Sequence, residues 1–351
     1  MKHRLTYSWV ILLSLLAFSC EKPSDYSIPS PDEINHNGNG QDNHGSGNNE
    51  GQQGQQEPHP WDANRGKVVL PHGEGWSSAS VTDGITYYSF VGKEPVSKAM
   101  QRIFVADIDM SKGKYKLGMT YNSTRSTTST IFKNTKALVA MNGGYELASI
   151  VIKIAGSYKS CMPNNNIGDT DVPNWKNEGA LYFSDGTDPR IRYDGKDLSI
   201  TAQRNFYYTS KEQNILTSAP MLVNDFEPVG ETFVWFAGNL NSLNYEDPQR
   251  HQGVRHPRTV IATTENNHLL MIVIDGRRSG ISEGMSAKEV TGFLVSNFNP
   301  QYALNLDGGG SSSICISGQG NAETHLVNYP VDDDTANGER KVTSHLYIVA
   351  K

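Results

Sequence analysis

Two apolar runs that each end in Asp-Gly constrain this chain more than any other feature. One is Leu269 to Ile274, followed by Asp275-Gly276-Arg277-Arg278; the other is Tyr302 to Leu306, followed by Asp307-Gly308-Gly309-Gly310-Ser311-Ser312-Ser313. Both are strand-length and mostly apolar, the pattern of buried strands. Between them Ser286-Ala287-Lys288-Glu289 has the spacing of a capping box. It predicts a helix to Asn297 with Val290, Phe293, Leu294 and Phe298 on one face. A strand-helix-strand unit of this length allows a crossover that leaves the two strands parallel and neighbouring or nearly so. Asp275 and Asp307 then end on one sheet edge, where α/β sheets place ligands.

Around this unit the chain from Trp61 onward reads as short apolar or alternating runs separated by Gly, Asn, Asp and Pro. Strands are expected at Lys67 to Leu70, Ile85 to Val91, Arg102 to Met110, Tyr115 to Tyr121, Ala137 to Met141, Ala180 to Phe183, Pro220 to Val223, Thr259 to Thr263, Ser313 to Ile316 and Val342 to Val349. Helical patterns are few: beyond Ser286 to Asn297, weak ones cover Ser126 to Lys136 and a turn near Lys211. No repeat period is visible, which excludes solenoids and propellers. The expectation is one α+β domain over residues 61–351, dominated by sheet, in which 61–100 form an N-terminal extension.

Residues 1–19 carry Lys2 and Arg4 and then a short apolar run from Val10 to Phe18, the form of a secretory signal. Its apolar core is too short to span a membrane. Ala17-Phe18-Ser19-Cys20 resembles a bacterial lipobox, so Cys20 is expected to be lipidated and the protein held on the cell envelope, in the periplasm or at the surface. From Glu21 to about Pro60 the composition turns to Asn, Gly, Gln, Pro, Asp and His, which cannot bury enough apolar area to order itself and reads as a tether. The random-coil estimate gives such a segment a reach on the order of 35 Å. His36, His44, His59 and His72 lack metal-ligand spacing. Cys161 and Cys315 are too few to define a disulfide framework and are expected to stay unpaired. A net charge of −6 with 19% charged residues argues against nucleic acid as a partner. A monomer is expected, with no cofactor and no metal site.

Several residues could carry chemistry. Asp275 and Asp307 suit acid, base or cation-holding roles, although Asp-Gly after a strand is also ordinary turn chemistry. Gly308, Gly309 and Gly310 offer backbone amides that an anion can approach, with Ser311 beside them. Arg255, Arg258, Arg277 and Arg278 lie near strand ends; Arg258 and Arg277 are the favoured phosphate ligands, because a guanidinium fork matches phosphate oxygens. Glu289 is explained by capping at least as well as by catalysis. Asn142-Gly143-Gly144-Tyr145 ends a further buried run, either as a turn or with Asn142 orienting a hydroxyl of the substrate.

In order, Asn142-Gly143-Gly144-Tyr145, His256-Pro257-Arg258-Thr259, Asp275-Gly276-Arg277, Ser282 to Ser286 with Glu289, and Asn305-Leu306-Asp307-Gly308-Gly309-Gly310-Ser311-Ser312 resemble the motifs of the phosphodiester glycosidase family, over roughly Arg102 to Lys351. The resemblance implies hydrolysis of an N-acetylglucosamine-1-phosphodiester-like bond between the anomeric carbon and a phosphate oxygen. It assigns Asp307 and Glu289, with Asp275 behind them, to catalysis. Substrate would be bound by Asn142, Gly143, Arg258, Arg277, Asn305, Gly308, Gly309 and Ser311. Glu146 and His256 depart from the family pattern, which more often has an aromatic and an asparagine there, and both positions bear on sugar specificity. Two other readings fit the same residues: a glycan-binding protein without catalysis, and a phosphodiesterase that holds a divalent cation on Asp275 and Asp307 and cleaves the phosphorus–oxygen bond.

Overall fold

The computed structural model describes residues 60–146, 149–162, 174–196, 198–232, 234–332 and 338–351. The leader, Cys20 and nearly all of the tether lie outside them.

In chain order the chain forms β1 (Trp76–Thr82), β2 (Ile85–Lys93), β3 (Met100–Asp109), β4 (Tyr115–Ser126), α1 (Thr128–Thr135), β5 (Val139–Asn142), β6 (Ile152–Ile154), β7 (Ser157–Ser160), β8 (Gly179–Phe183), β9 (Arg190–Arg192), α2 (Ile200–Thr209), β10 (Asn214–Ser218) and β11 (Met221–Asn224). It continues through α3 (Pro248–Gly253), β12 (Arg258–Thr263), β13 (His268–Ile274), α4 (Ala287–Asn297), β14 (Tyr302–Asn305), β15 (Ile314–Ile316) and β16 (Val342–Ala350). Three sheets result, ordered β1-β2-β3-β13-β12-β14-β11, β7-β6-β10-β8-β9 and β15-β5-β16-β4. This is the sheet-dominated α+β fold expected from the sequence.

The seven-stranded sheet is covered on both faces, which explains why its central strands read as continuous apolar runs. Phe104, Ala106 and Ile108 of β3 and Met271 and Val273 of β13 face a core shared with Met141, Leu181, Leu216 and Leu346 of the other two sheets. The alternate residues Ile103, Val105, Ile272 and Ile274 pack on Val290, Phe293, Leu294 and Phe298 of α4. That helix starts where the sequence places it. The Ser286 side chain accepts from the Glu289 amide while the Glu289 carboxylate accepts from the Ser286 amide.

The crossover expectation holds in one respect and is refined in another. β13 and β14 are parallel, but each pairs with β12, which runs antiparallel between them. Arg258, at the start of β12, is thereby brought to the edge where β13 and β14 end.

Other expectations are corrected. Lys67 to Leu70 form no strand, and β1, β6, β7, β9, β10 and α3 are additional elements. The turn placed near Lys211 follows a full helix, α2. β1 and β2 belong to the same sheet as β12 to β14 and so are integral to the domain's main layer. Cys315 is a free, buried thiol, as expected, whereas Cys161 is disulfide-bonded and not unpaired.

Candidate active site

Four strand ends meet at one edge: the C-termini of β5, β13 and β14 and the N-terminus of β12. Asn142, at the end of β5, ties them together. Its Nδ2 donates to the Asp307 carbonyl at 2.7 Å, while its Oδ1 accepts from Thr259 Oγ1 at 2.9 Å and from the Ser313 amide at 3.1 Å. Three of the four hydrogen bonds its side chain can make are thus made within the protein, so Asn142 positions the site. Gly143 allows the backbones to close: its amide donates to the Ser344 carbonyl at 2.8 Å, and its carbonyl accepts from the Asp307 amide at 3.2 Å. A Cβ there would stand 2.5 Å from Ser344 Oγ. Asn305 is similarly committed, its Nδ2 donating to the Ala219 carbonyl at 3.0 Å and to the Tyr145 hydroxyl at 3.2 Å.

Beyond β14 the chain turns tightly. Gly309 has φ +61°, its amide donates to the Pro257 carbonyl at 2.8 Å, and the Arg277 Nη2 lies 3.0 Å from where its Cβ would be. Glycine is therefore what lets this guanidinium rest on the loop. The sequence reading offered the loop amides to an anion, but those of Gly309, Ser311 and Ser312 already donate to backbone carbonyls. Only the amides of Gly308 and Gly310 remain for that use among the described residues of the loop.

The carboxyl of Asp307 is packed around on nearly all sides, although the residue keeps some contact with solvent. Burial raises it from the usual carboxylate range to about 6; the negative charge of Glu146 adds to the rise, while the Ser311 hydrogen bond, Arg340 and Lys176 oppose it. Asp275 is also raised to about 6 by burial, but in other surroundings. Its carboxylate accepts from Asn328 Nδ2 at 3.0 Å and from the Tyr329 amide at 3.0 Å.

The arginines divide. Arg255 is bonded to Glu289 and Glu283, with Nε at 3.0 Å from Glu289 Oε1 and Nη1 at 2.8 Å from Glu283 Oε2. Arg278 lies over the Tyr329 ring at 3.7 Å. Arg258 is different: only 1% of it is exposed, and no carboxylate among the described residues pairs with it. Its Nε donates to the Met285 carbonyl at 2.8 Å, and its Nη2 donates to the carbonyls of His251 and Val254, each at 2.9 Å. Burial lowers it to about 10, so it stays charged at neutral pH. Its Nη1 is taken by no described residue.

Glu289 is occupied by the Ser286 cap and by Arg255, an arrangement that fully accounts for its carboxylate.

Three members of the recess, Trp175, Lys176 and His251, were not singled out from the sequence. Tyr145, Trp175 and His251 form an aromatic wall, with ring centroids 5.8 Å apart for Tyr145 and Trp175 and 4.9 Å for Trp175 and His251. Lys176 Nζ lies 5.0 Å from the Tyr145 ring centroid and is 2.6 Å from Glu246 Oε2. The Nδ1 of His251 is buried and has no partner among the described residues. Desolvation and the charge of Arg258 hold His251 well below its usual value and lower His256 to about 3, so both imidazoles are neutral. Trp175 and Lys176 follow an uninformative stretch, and only their nearness to a strand start hinted at them. Glu146 accepts from the Thr343 amide at 2.8 Å and pairs with Arg125 at 2.7 Å. Among the described residues no group of three or more His, Cys, Asp or Glu side chains is placed to hold a metal ion.

An α+β domain is thus defined with an anion-directed recess at the meeting of two sheets: one buried carboxylate, an uncompensated guanidinium and an aromatic wall. The chain belongs to the phosphodiester glycosidase family, whose model matches residues 135–349. Membership supports phosphodiester glycosidase activity as the general class of reaction. No curated protein matches the chain. Among solved structures it is similar to the catalytic domain of zebrafish N-acetylglucosamine-1-phosphodiester alpha-N-acetylglucosaminidase, auto-inhibited by its pro-peptide (TM-score 0.50, 17% identity, covering 80% of this chain and 86% of that one). A hypothetical protein from Synechocystis gives a TM-score of 0.50 at 14% identity, covering 80% of this chain, which spans only 64% of that protein. A Burkholderia pseudomallei protein gives 0.50 at 12%, covering 81% and 98%. At these identities the likeness shows the fold.

Proposed function

We propose that this protein hydrolyses an N-acetylglucosamine-1-phosphodiester-like bond at the anomeric carbon, on a glycan outside the cytoplasm. The observation that carries the reading is Arg258, a buried cation with no carboxylate partner among the described residues and with Nη1 unclaimed by them, at the same edge as Asp307. A charge held that way is costly unless an anion completes the site, and a phosphodiester oxygen is such an anion. The sugar lies against Tyr145, Trp175 and His251. The phosphate meets Arg258, Arg277 and the amides of Gly308 and Gly310, which stabilise the charge that grows on it as it leaves.

Asp307, poised near neutral pH, accepts a proton from water as the oxygen of that water bonds to the anomeric carbon. The bond from that carbon to the phosphate oxygen breaks, and its electron pair stays on the phosphate. The products are free sugar and a phosphomonoester. The phosphate is already a good leaving group, so the site supplies fixed positive charge and has little need of a strong general acid.

Incubation with N-acetyl-α-glucosaminyl-1-phosphodiesters, with products resolved, tests the reading. Free sugar with phosphomonoester is expected. Sugar 1-phosphate would instead assign phosphorus–oxygen cleavage, and binding without turnover would leave a glycan-binding protein. The lipobox reading carries the location: Cys20→Ala is expected to move the protein from the membrane to the soluble fraction, and persistence on membranes would remove the anchor.

A further inference from the structure

The recess lies where the five-stranded sheet meets the seven-stranded one, and part of its wall stands on the short segment before β8. Trp175 and Lys176 belong to that wall, and Asn177 fastens it to the five-stranded side. The Asn177 Nδ2 donates to the Ser149 carbonyl at 2.9 Å, its Oδ1 accepts from Thr217 Oγ1 at 2.6 Å, and its carbonyl accepts from the Tyr207 hydroxyl at 3.1 Å. Glu178 comes next and reaches the other way. Its carboxyl takes a hydrogen bond from the backbone of Met221, the first residue of β11 on the seven-stranded sheet. The sheets are in close contact at this point, since a Cβ on Gly179 would stand 3.0 Å from Leu304 Cδ1 and 3.3 Å from Met221 Sδ. The start of β11 is itself tied to the site: two residues before Met221, the Ala219 carbonyl accepts from the Tyr145 hydroxyl at 2.9 Å and from Asn305 Nδ2 at 3.0 Å.

Glu178 is thus a carboxyl laid across the seam between the sheets, directly behind the wall, in surroundings that favour its uncharged form. Its Oε2 is enclosed and has no partner among the described residues. The titratable groups that face it are Lys196, from the segment after β9, and Tyr207 of α2, while β11 and β14 bring the uncharged Met221 and Leu304 to this place. An enclosed carboxylate oxygen without a donor is costly, and a proton on the group removes that cost. Burial accordingly raises Glu178 to about 8, against the Met221 hydrogen bond and the charge of Lys196. The residue as a whole is only half-buried, so the ionised side chain has a route to water.

We propose that Glu178 is a proton-operated latch on the recess: as the neutral acid it seats across the seam and holds the wall segment against β11, and as the carboxylate it leaves the seam and draws Trp175 and Lys176 out of place. The latch closes the working range at its alkaline end, through a residue that touches no substrate. Its effect on turnover rests on the phosphodiester glycosidase reading, and its effect on the wall does not.

Glu178→Gln copies the shape of the neutral acid and cannot ionise, so it separates the two states. With the methyl diester of N-acetyl-α-glucosaminyl phosphate, kcat/KM of the unsubstituted protein should fall as pH rises through about 8. In Glu178→Gln that fall should move up by about one pH unit or more, with less than about a twofold change at pH 7. A second measurement does not need turnover: tryptophan fluorescence of the unsubstituted protein should show a step near the same pH, absent from Glu178→Gln and absent from Trp175→Phe, which keeps the latch and removes its reporter. Should the amide variant not fold, Glu178→Met, of similar length and uncharged, makes the same comparison. An alkaline fall or a fluorescence step that persists unshifted without the carboxyl would overturn the latch. So would a step missing from the unsubstituted protein, or one that survives Trp175→Phe. A step that depends on Glu178, with no diester hydrolysed at any pH, would keep the latch and remove the hydrolase reading.

Discussion

Asp307 illustrates how one residue is set between stability and chemistry. Its carboxyl binds a proton more tightly in the folded protein, at about 6, than in the unfolded chain, near the ordinary carboxylate value of 3.8. The sign follows from linkage: stability falls as pH rises from about 4 through 6, and the cost is fully present at neutral pH. Asp307→Asn should therefore stabilise the protein at pH 7.5, by about 3 kcal/mol at most, and raise its melting temperature, while removing turnover. Calorimetry at pH 4 and at pH 7.5 should show the gain only at the higher pH. The same group predicts that kcat/KM of the unsubstituted protein rises with pH through about 6 as the base becomes available. A profile flat from pH 5 to 7 would detach Asp307 from the rate. Arg258 makes a complementary case. Arg258→Lys keeps the charge but cannot reproduce the fork to the carbonyls of Met285, His251 and Val254, so kcat/KM should fall about a hundredfold and stability should fall too.

At the scale of elements, α4 was legible because three independent signals agreed: the Ser286 cap, the Glu289 return bond and the apolar stripe. The same agreement now argues that Glu289 serves the helix. Glu289→Gln is expected to lower stability by about 1 kcal/mol, through the cap and the Arg255 pair, with activity changed less than about threefold. A large loss of turnover at an unchanged melting temperature would return Glu289 to the chemistry. The strands β12, β13 and β14 were equally legible, since burial on both faces leaves an apolar run with a marked end. Short edge elements were not. β6, β7 and β9 are three or four residues long, and α3 has only six, so periodicity had too few repeats to register. The segment Lys67 to Leu70 shows the opposite error: Val68 and Leu70 supply strand composition, but no neighbouring strand pairs with them.

For the whole molecule, composition foretold a sheet-rich α+β domain, and motif order foretold the family. Neither could foretell which sheets meet. The pairing of Asn142 with Asp307, 165 positions apart, and the stacking of Trp175 on His251 are tertiary facts that no local pattern encodes. Arg258 and Arg277 could be preferred over Arg255 and Arg278 from their motifs, but that no carboxylate among the described residues pairs with Arg258 could be seen only in three dimensions.

β16 pairs with β4 and β5 in the middle of the four-stranded sheet, and its Ser344 holds the Gly143 backbone against the recess. This strand comes from residues 342–350, so its contacts with β5 close a loop of about 200 residues, among the slowest kinds of closure in a folding chain. Until that closure forms, the Gly143 amide has no Ser344 carbonyl to hold it, and the edge that carries Asn142 is incomplete. The recess thus reports on the whole domain, taking shape only once parts far apart in the chain have met.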